Sequence, residues 1–324
     1  MLHKAAAMPT IPNDDQACDD EQEPALDVPS WRAIERPRED ELIVVVGPTA
    51  SGKTELAIRL AETFDGEIIG ADSVQIYRAF DIGSGKPTDE ELSRAPHHLV
   101  GIADPLEAFD AQTFADAAER TIADVRARGR VPVVCGGTFL WVKALVWGLA
   151  PAPPADKAIR ARHAAIAEAH GRAALHAQLA AVDPASAARL APNDLVRVSR
   201  ALEVFELSGK RQSQWFAEHG FRGERHRARF VGIARSRDEL EQRIRARARA
   251  WLEHGWIEEV QGLIARGYGE ARAMASVGYR QVREYLDGTL AREALEDGVV
   301  RATRIFARRQ RTWLRDQPVG WYAL

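Results

Sequence analysis

The chain opens polar, and its first sustained apolar stretch is Leu42-Ile43-Val44-Val45-Val46, with no alternation along it. A short unbroken run of this kind, bounded by glycine, predicts a strand buried on both faces. Further β-type runs lie at 67–71, 98–102, 131–135 and 230–234. Helical spacing of apolar residues fills 55–64 and 112–128, and Gly129 ends the second. Strands alternating with helices of this length imply right-handed crossovers and a parallel sheet. The pattern breaks at Pro151-Ala152-Pro153-Pro154, which reads as a hinge. Beyond it, 156–215 is alanine-rich and helical, with Asn193-Asp194 predicted to cap a helix over 195–207 and Gly209 to end it. Ser236-Arg237-Asp238-Glu239 has capping-box spacing and opens a helix over 238–254, stopped by Gly255. A last long helix is expected over 295–314.

Residues 47–54, Gly-Pro-Thr-Ala-Ser-Gly-Lys-Thr, sit directly behind the first strand. They form a P-loop in the context that gives it meaning: buried strand, glycine-bounded turn, then a helix. Gly47 and Gly52 let the backbone of Pro48-Thr49-Ala50-Ser51 curl until successive N–H groups, from Thr49 onward, converge on an anion. Lys53 adds a point charge, Thr54 a hydroxyl able to hold Mg²⁺, and the following helix its positive dipole end. A diphosphate or triphosphate is the expected ligand. The fold class is therefore α/β, a P-loop NTPase-like parallel sheet core over 41–150 and 228–324. A small helical domain, 151–227, is inserted into it, and Arg-rich helices close the chain. Residues 1–40 are rich in Asp, Glu, Pro and Ala without period and read as a disordered acidic leader, with Met8 an alternative start.

With 324 residues, 46% of them apolar, the chain can bury such a core and a smaller domain besides. The net charge of −3 conceals an asymmetry. From Arg222 onward there are 21 arginines, no lysine and 14 acidic residues, which suggests a polyanionic partner larger than a nucleotide or a set of solvated helix faces. Cys18 and Cys135 lie far apart in sequence and neither has a partner at metal-ligand spacing, so a reducing cytoplasm is expected. No apolar run approaches membrane-spanning length, and nothing suggests a coiled coil, so a monomer away from membranes is expected.

A P-loop ATPase places an acidic residue at the end of a second buried strand. The strand 131–135 ends instead in Gly136-Gly137-Thr138, and the acid comes earlier, at Asp72, just past 67–71. Both Asp72 and Thr138 should then lie on the sheet edge that carries the P-loop, where α/β active sites gather. An ATP-dependent small-molecule kinase and a non-catalytic RNA-binding P-loop protein both stay open on these residues.

Several ordered blocks go further. Gly47–Thr54, Asp72-Ser73 with Gln75-Ile76-Tyr77, Asp81-Ile82-Gly83-Ser84-Gly85-Lys86-Pro87, Pro96-His97-His98, Gly136-Gly137-Thr138, Arg200-Ala201-Leu202-Glu203-Val204 and Val277-Gly278-Tyr279-Arg280-Gln281 together resemble the tRNA dimethylallyltransferase (tRNA isopentenyltransferase) family. The resemblance spans about Leu42 to Trp321. It implies transfer of the dimethylallyl group of dimethylallyl diphosphate to N6 of the adenine 3′ of the anticodon, with Mg²⁺ and release of pyrophosphate. It makes Asp72 the general base, places Thr138 at the bridging oxygen of the diphosphate, and gives Arg247 a diphosphate contact. From the residues alone, Asp72 could equally cap a turn and Thr138 could be structural. The segments matching tRNA contacts are Asp72-Ser73-Val74-Gln75, Thr138, Arg160, Val196-Arg197-Val198-Ser199-Arg200 and Ala275-Ser276-Val277-Gly278-Tyr279-Arg280, on the anticodon stem-loop. The target base should flip into a channel, for which Tyr77, Phe139 and Trp141 are candidates beside their ordinary role as core residues. Independently of family, Arg301, Arg304, Arg308, Arg311 and Arg315 alternate steps of three and four and should form one basic stripe.

Overall fold

The computed structural model describes residues 27–220 and 223–324, which divide into two compact units. The larger comprises 27–148 and 224–324, the smaller 149–223. In the larger unit β1 (Glu41–Val45), β2 (Gly66–Gly70), β3 (His97–His98), β4 (Val131–Cys135), β5 (Arg227–Ile233) and β6 (Val319–Tyr322) form one sheet. Its order is β3-β2-β4-β1-β5-β6 and every pairing is parallel. Leu42 to Val46 are fully buried, which is why they carry no alternation: helices cover both faces. Those helices are α1 (Lys53–Phe64), α2 (Asp89–Arg94), α3 (Ala111–Ala127) and α4 (Phe139–Trp147) from the first half of the chain.

The smaller unit holds α5 (Lys157–His170), α6 (Arg172–Val182), α7 (Pro184–Arg189), α8 (Leu195–Ser208) and α9 (Gln212–His219). Asp194 caps α8 by accepting from the amide of Arg197, and Gly209 closes it in a left-handed conformation, as the sequence predicts. The chain then re-enters the larger unit and adds α10 (Arg237–Glu253), α11 (Trp256–Ala265), α12 (Tyr279–Leu286) and α13 (Arg292–Leu314). Ser236 and Glu239 form the expected capping box at the start of α10.

Three expectations are corrected and one strand is added. The strand expected over 98–102 stops at His98, because Leu99 and Gly101 take φ of +58° and +63° and the Gly101 amide turns to the carbonyl of Gln75 at 2.8 Å. Strand β6 is not legible in the sequence: four residues behind Pro318 are too few for a pattern, and they pair only because β5 offers an edge. The leader does not run to residue 40. Trp31–Ala33 form a 3₁₀ turn, the Trp31 amide donates to Ala323 at 2.8 Å, and Trp31 and Ile34 are buried beside Phe64 and Ile58. Two apolar side chains suffice to dock this segment; residues 1–26, with Met8 and Cys18, lie outside the described residues. Finally, 224–227 belong to the larger unit, since Arg227 already begins β5. No helix among the described residues is long and apolar enough to cross a membrane.

The smaller unit has an apolar core of Leu175, Leu179, Ala187, Val198, Ala201 and Leu202. Beside it Glu203 is fully buried and accepts from the Asp156 amide at 2.7 Å, from Arg160 at 2.8 and 2.9 Å, and from Arg200 at 2.5 Å. Burial pushes the Glu203 carboxyl up, but the hydrogen bonds from Arg160 and Arg200 outweigh it and leave it below its ordinary 4.5. A carboxyl depressed on folding stabilises above its unfolded pKa, and that stability is lost as pH falls through the folded value. Glu203→Gln is expected to cost the smaller unit about 1.5–3 kcal/mol at neutral pH, the worth of hydrogen bonds to a charge. That advantage of the wild type should shrink as acid takes the pH below 4.5. Amide hydrogen exchange in α5 and α8 measures it; equal protection in both proteins at pH 7 excludes the role.

Candidate functional site

Gly52, at φ +102°, starts α1, and Ala50, at φ +65°, takes a left-handed conformation that a side chain adopts only when held there. It is held from outside. Arg243 of α10 donates to the Ala50 carbonyl at 2.7 Å, Arg235 to that of Ser51 at 3.3 Å, and Arg247 to the Thr49 hydroxyl at 2.7 Å. A Cβ on Gly47 would stand 2.7 Å from the Ser51 hydroxyl, so only glycine lets the loop close over that group. Ser51 is fully buried and its hydroxyl has no protein partner, as expected of a group directed at a ligand. Lys53 donates to the Pro48 carbonyl at 2.9 Å; burial lowers its pKa, against the pull of Cys135 and Asp72.

The loop is also tied to the β4 end. Gln310, buried on α13, accepts from the Thr49 amide at 2.7 Å and donates to the Gly137 carbonyl at 3.0 Å. A Cβ at Gly136 would fall 2.1 Å from the Ala71 carbonyl, so glycine is what allows the ends of β2 and β4 to touch. There the Thr138 amide donates to Ala71 at 3.2 Å, and its hydroxyl accepts from the Ser73 amide at 3.0 Å and meets the Ser73 hydroxyl at 3.2 Å. Asp72 Oδ1 accepts from the amides of Val74 and Gln75 at 2.9 and 3.2 Å. The carboxylate is thus oriented through one oxygen, and neither bond uses Oδ2. Burial, with Arg243 nearby, pushes the Arg247 guanidinium down to about 10; it lies 4.6 Å over the Trp251 ring. It remains a cation at neutral pH.

The loop Gly47–Thr54, with Arg247 on Thr49, and the pair Asp72-Ser73 with Thr138 thus stand at the ends of the neighbouring parallel strands β1, β2 and β4. Thr54 opens α1 half-buried. Among the described residues no three acidic or histidine side chains are grouped as a metal site. A single hydroxyl fits Mg²⁺ in the mode where diphosphate oxygens and water fill most of the shell.

The segments expected to face tRNA divide. Val196, Arg197, Ala275 and Arg280 are exposed, whereas Val198, Ser199, Gly278 and Tyr279 are buried. Arg160 and Arg200 are both engaged with Glu203, and Ser199 bonds His163 at 2.9 Å. Tyr77, Phe139 and Trp141 are core residues: Trp141 stacks on Phe114 at 4.6 Å and Phe139 on Trp313 at 3.9 Å. Along α13 the basic stripe is present, with Arg304 paired to Glu241 at 3.0 Å. Arg245 pairs with Asp297 and Arg249 with Glu296. Sequence reading missed Arg235 and Gln310. Gln310 had a signal, a polar residue on the buried stripe Thr303, Ala307, Gln310 and Leu314.

A parallel sheet with a phosphate loop behind its first strand, and an acid and a threonine joined at the ends of the two strands beside it, defines a P-loop α/β protein. The model of IPP transferase matches residues 75–317 and that of isopentenyl transferase residues 40–100. The chain is 69% identical over 296 residues to a tRNA dimethylallyltransferase of Sorangium cellulosum, covering 91% of this chain and 94% of that one. A tRNA dimethylallyltransferase of Geobacter sulfurreducens is 47% identical over 283 residues, covering 87% and 91%. Among solved structures, the full-length tRNA isopentenylpyrophosphate transferase of Bacillus halodurans superposes with a TM-score of 0.65 at 36% identity, covering 88% and 90%. A eukaryotic dimethylallyltransferase acting on tRNA superposes at 0.70 with 28% identity, covering 85% and 70%. The chain belongs to the IPP transferase family.

Proposed function

We propose that this enzyme transfers the dimethylallyl group of dimethylallyl diphosphate to N6 of the adenine immediately 3′ of the anticodon in tRNA. The observation that carries the reading is the joining of Asp72 and Thr138 through Ser73, at strand ends beside the phosphate loop. The N6 lone pair attacks the allylic carbon, whose bond to the diphosphate oxygen breaks with its electron pair. Pyrophosphate departs, and Asp72 takes the N6 proton. N6 is a poor nucleophile because its lone pair is delocalised into the purine, and a carboxylate accepting the proton as the bond forms offsets this. Charge growing on the leaving diphosphate meets the loop amides, Lys53, Arg247 and the Thr138 hydroxyl, already fixed in place. Thr54 would hold Mg²⁺, which supplies further neutralisation of the diphosphate when bound. The exposed arginines of α13 and Arg197 and Arg280 supply the electrostatic footprint for anticodon-stem phosphates. The enzyme acts as a monomer in the cytoplasm.

Nucleoside mass analysis of tRNA after incubation with enzyme, Mg²⁺ and dimethylallyl diphosphate tests the reading. One adenosine in the anticodon loop should gain a five-carbon unit, while AMP offered in parallel should not. Brisk ATP hydrolysis with unaltered RNA would exclude it.

A further inference from the structure

Two glycine-bearing blocks, 81–87 and 277–281, supply no group to the bond making and breaking above, yet one short stretch of α11 accounts for the fold of both. Trp256 is buried to 1% exposure. Its indole stands where side chains would otherwise go: a Cβ on Gly83 would lie 2.0 Å from Nε1, and one on Gly278 2.4 Å from the ring. Gly278 also sits at φ +91°. One turn along α11, Glu259 caps both blocks. Its Oε2 accepts from the amides of Asp81 and Ile82 at 2.9 and 2.6 Å, and its Oε1 accepts from the Tyr279 hydroxyl at 2.6 Å and the Gly83 amide at 3.4 Å. Three successive amides turned toward one point make an anion nest, and here the protein fills it with its own carboxylate. Charge-assisted bonds of this kind are about twice as strong as neutral ones.

The loop so anchored is closed on itself. Gly85 donates to the Ile82 carbonyl at 2.9 Å, and Lys86 reaches the Tyr77 carbonyl and Asp81 at 2.6 Å each. Its far side presents the carbonyls of Ser84 and Gly85, which accept from Gln75 Nε2 at 3.1 and 2.7 Å. The amide of that same Gln75 is one of the two donors that orient Asp72 Oδ1. Gly85 also packs against Trp251, a Cβ there lying 3.0 Å from the ring on which Arg247 rests.

We infer that Glu259 is a positioning residue for the transfer reaction: through the amides of Asp81–Gly83 and the side chain of Gln75 it sets the direction of the Asp72 carboxylate. The inference rests on the proposed function, and wild-type turnover is measured first. If the wild type does not prenylate tRNA, that reading fails; if it does, the variants judge Glu259 alone. Glu259→Gln keeps the size but exchanges one acceptor oxygen for a donor. At saturating tRNA, kcat should fall roughly 10-fold, within the range for residues coupled through one network, with KM for dimethylallyl diphosphate unchanged. Gln75→Ala should lose a comparable factor, and the double variant should be no slower than the slower single one. A purely structural Glu259 would instead give losses that multiply, or a lowered melting temperature with kcat intact, and either result overturns the inference. Should Glu259→Gln fail to fold, Tyr279→Phe carries the test by removing one bond to Oε1. It should slow the wild type but not the Gln75→Ala enzyme, and equal slowing of both overturns the inference.

Discussion

Replacing Asp72 with asparagine should lower turnover by roughly 10²–10⁴-fold, the span of a positioned general base, with tRNA affinity retained. Asparagine is the sharper choice than alanine. Its carbonyl can still accept from the Val74 and Gln75 amides as Oδ1 does, so the turn behind β2 keeps its shape. What it cannot do is accept a proton, because the second atom becomes an amide nitrogen. The expected profile is a slow single-turnover rate at saturating donor beside unaltered tRNA retention on a filter. Alanine should be slower still by the cost of a loosened turn. A near-normal rate in Asp72→Asn removes the carboxylate from proton transfer and leaves it only the turn-capping role that its Oδ1 already performs.

Arg247→Lys is expected to reduce kcat by roughly 10²–10³-fold, the loss typical of one preorganised donor at a centre of developing negative charge. Charge is conserved in this exchange, so the loss comes from shape. The guanidinium bonds the Thr49 hydroxyl at 2.7 Å while its plane rests over Trp251 at 4.6 Å. A compact ammonium cannot stack and donate along a fixed fork in the same way. Burial brings Arg247 down to about 10, so its charge persists through neutral pH. The same burial penalises a lysine further, since its ordinary pKa is already lower. Steady-state kcat and KM for dimethylallyl diphosphate decide between the two, and a lysine variant with wild-type kcat would show that charge alone suffices.

Legibility differs from element to element. The run Leu42–Val46, buried on both faces, the loop Gly47–Thr54 and the capped helices α8 and α10 depend on neighbours in sequence, so their signals are local. Asp72 and Thr138 are marked by residue motifs, and their meeting at one edge follows from a parallel sheet whose strands all end on the same side. The expected tRNA segments also include residues that are buried, Val198, Ser199, Gly278 and Tyr279. A motif marks residues that must stay, whether they face a ligand or hold the residue that does. Tyr279 belongs to the second kind, since its hydroxyl serves Glu259.

From the chain alone came strands β1, β2, β4 and β5, helices α1, α3, α8, α10 and α13 and the phosphate loop, because periodicity and turn chemistry act over a few residues. Only the folded molecule decided who supports the site. Gln310 reaches Thr49 across 261 positions and Glu259 reaches Asp81 across 178. Pairings over such distances leave no periodic trace, because they are selected by packing between elements rather than by the local backbone.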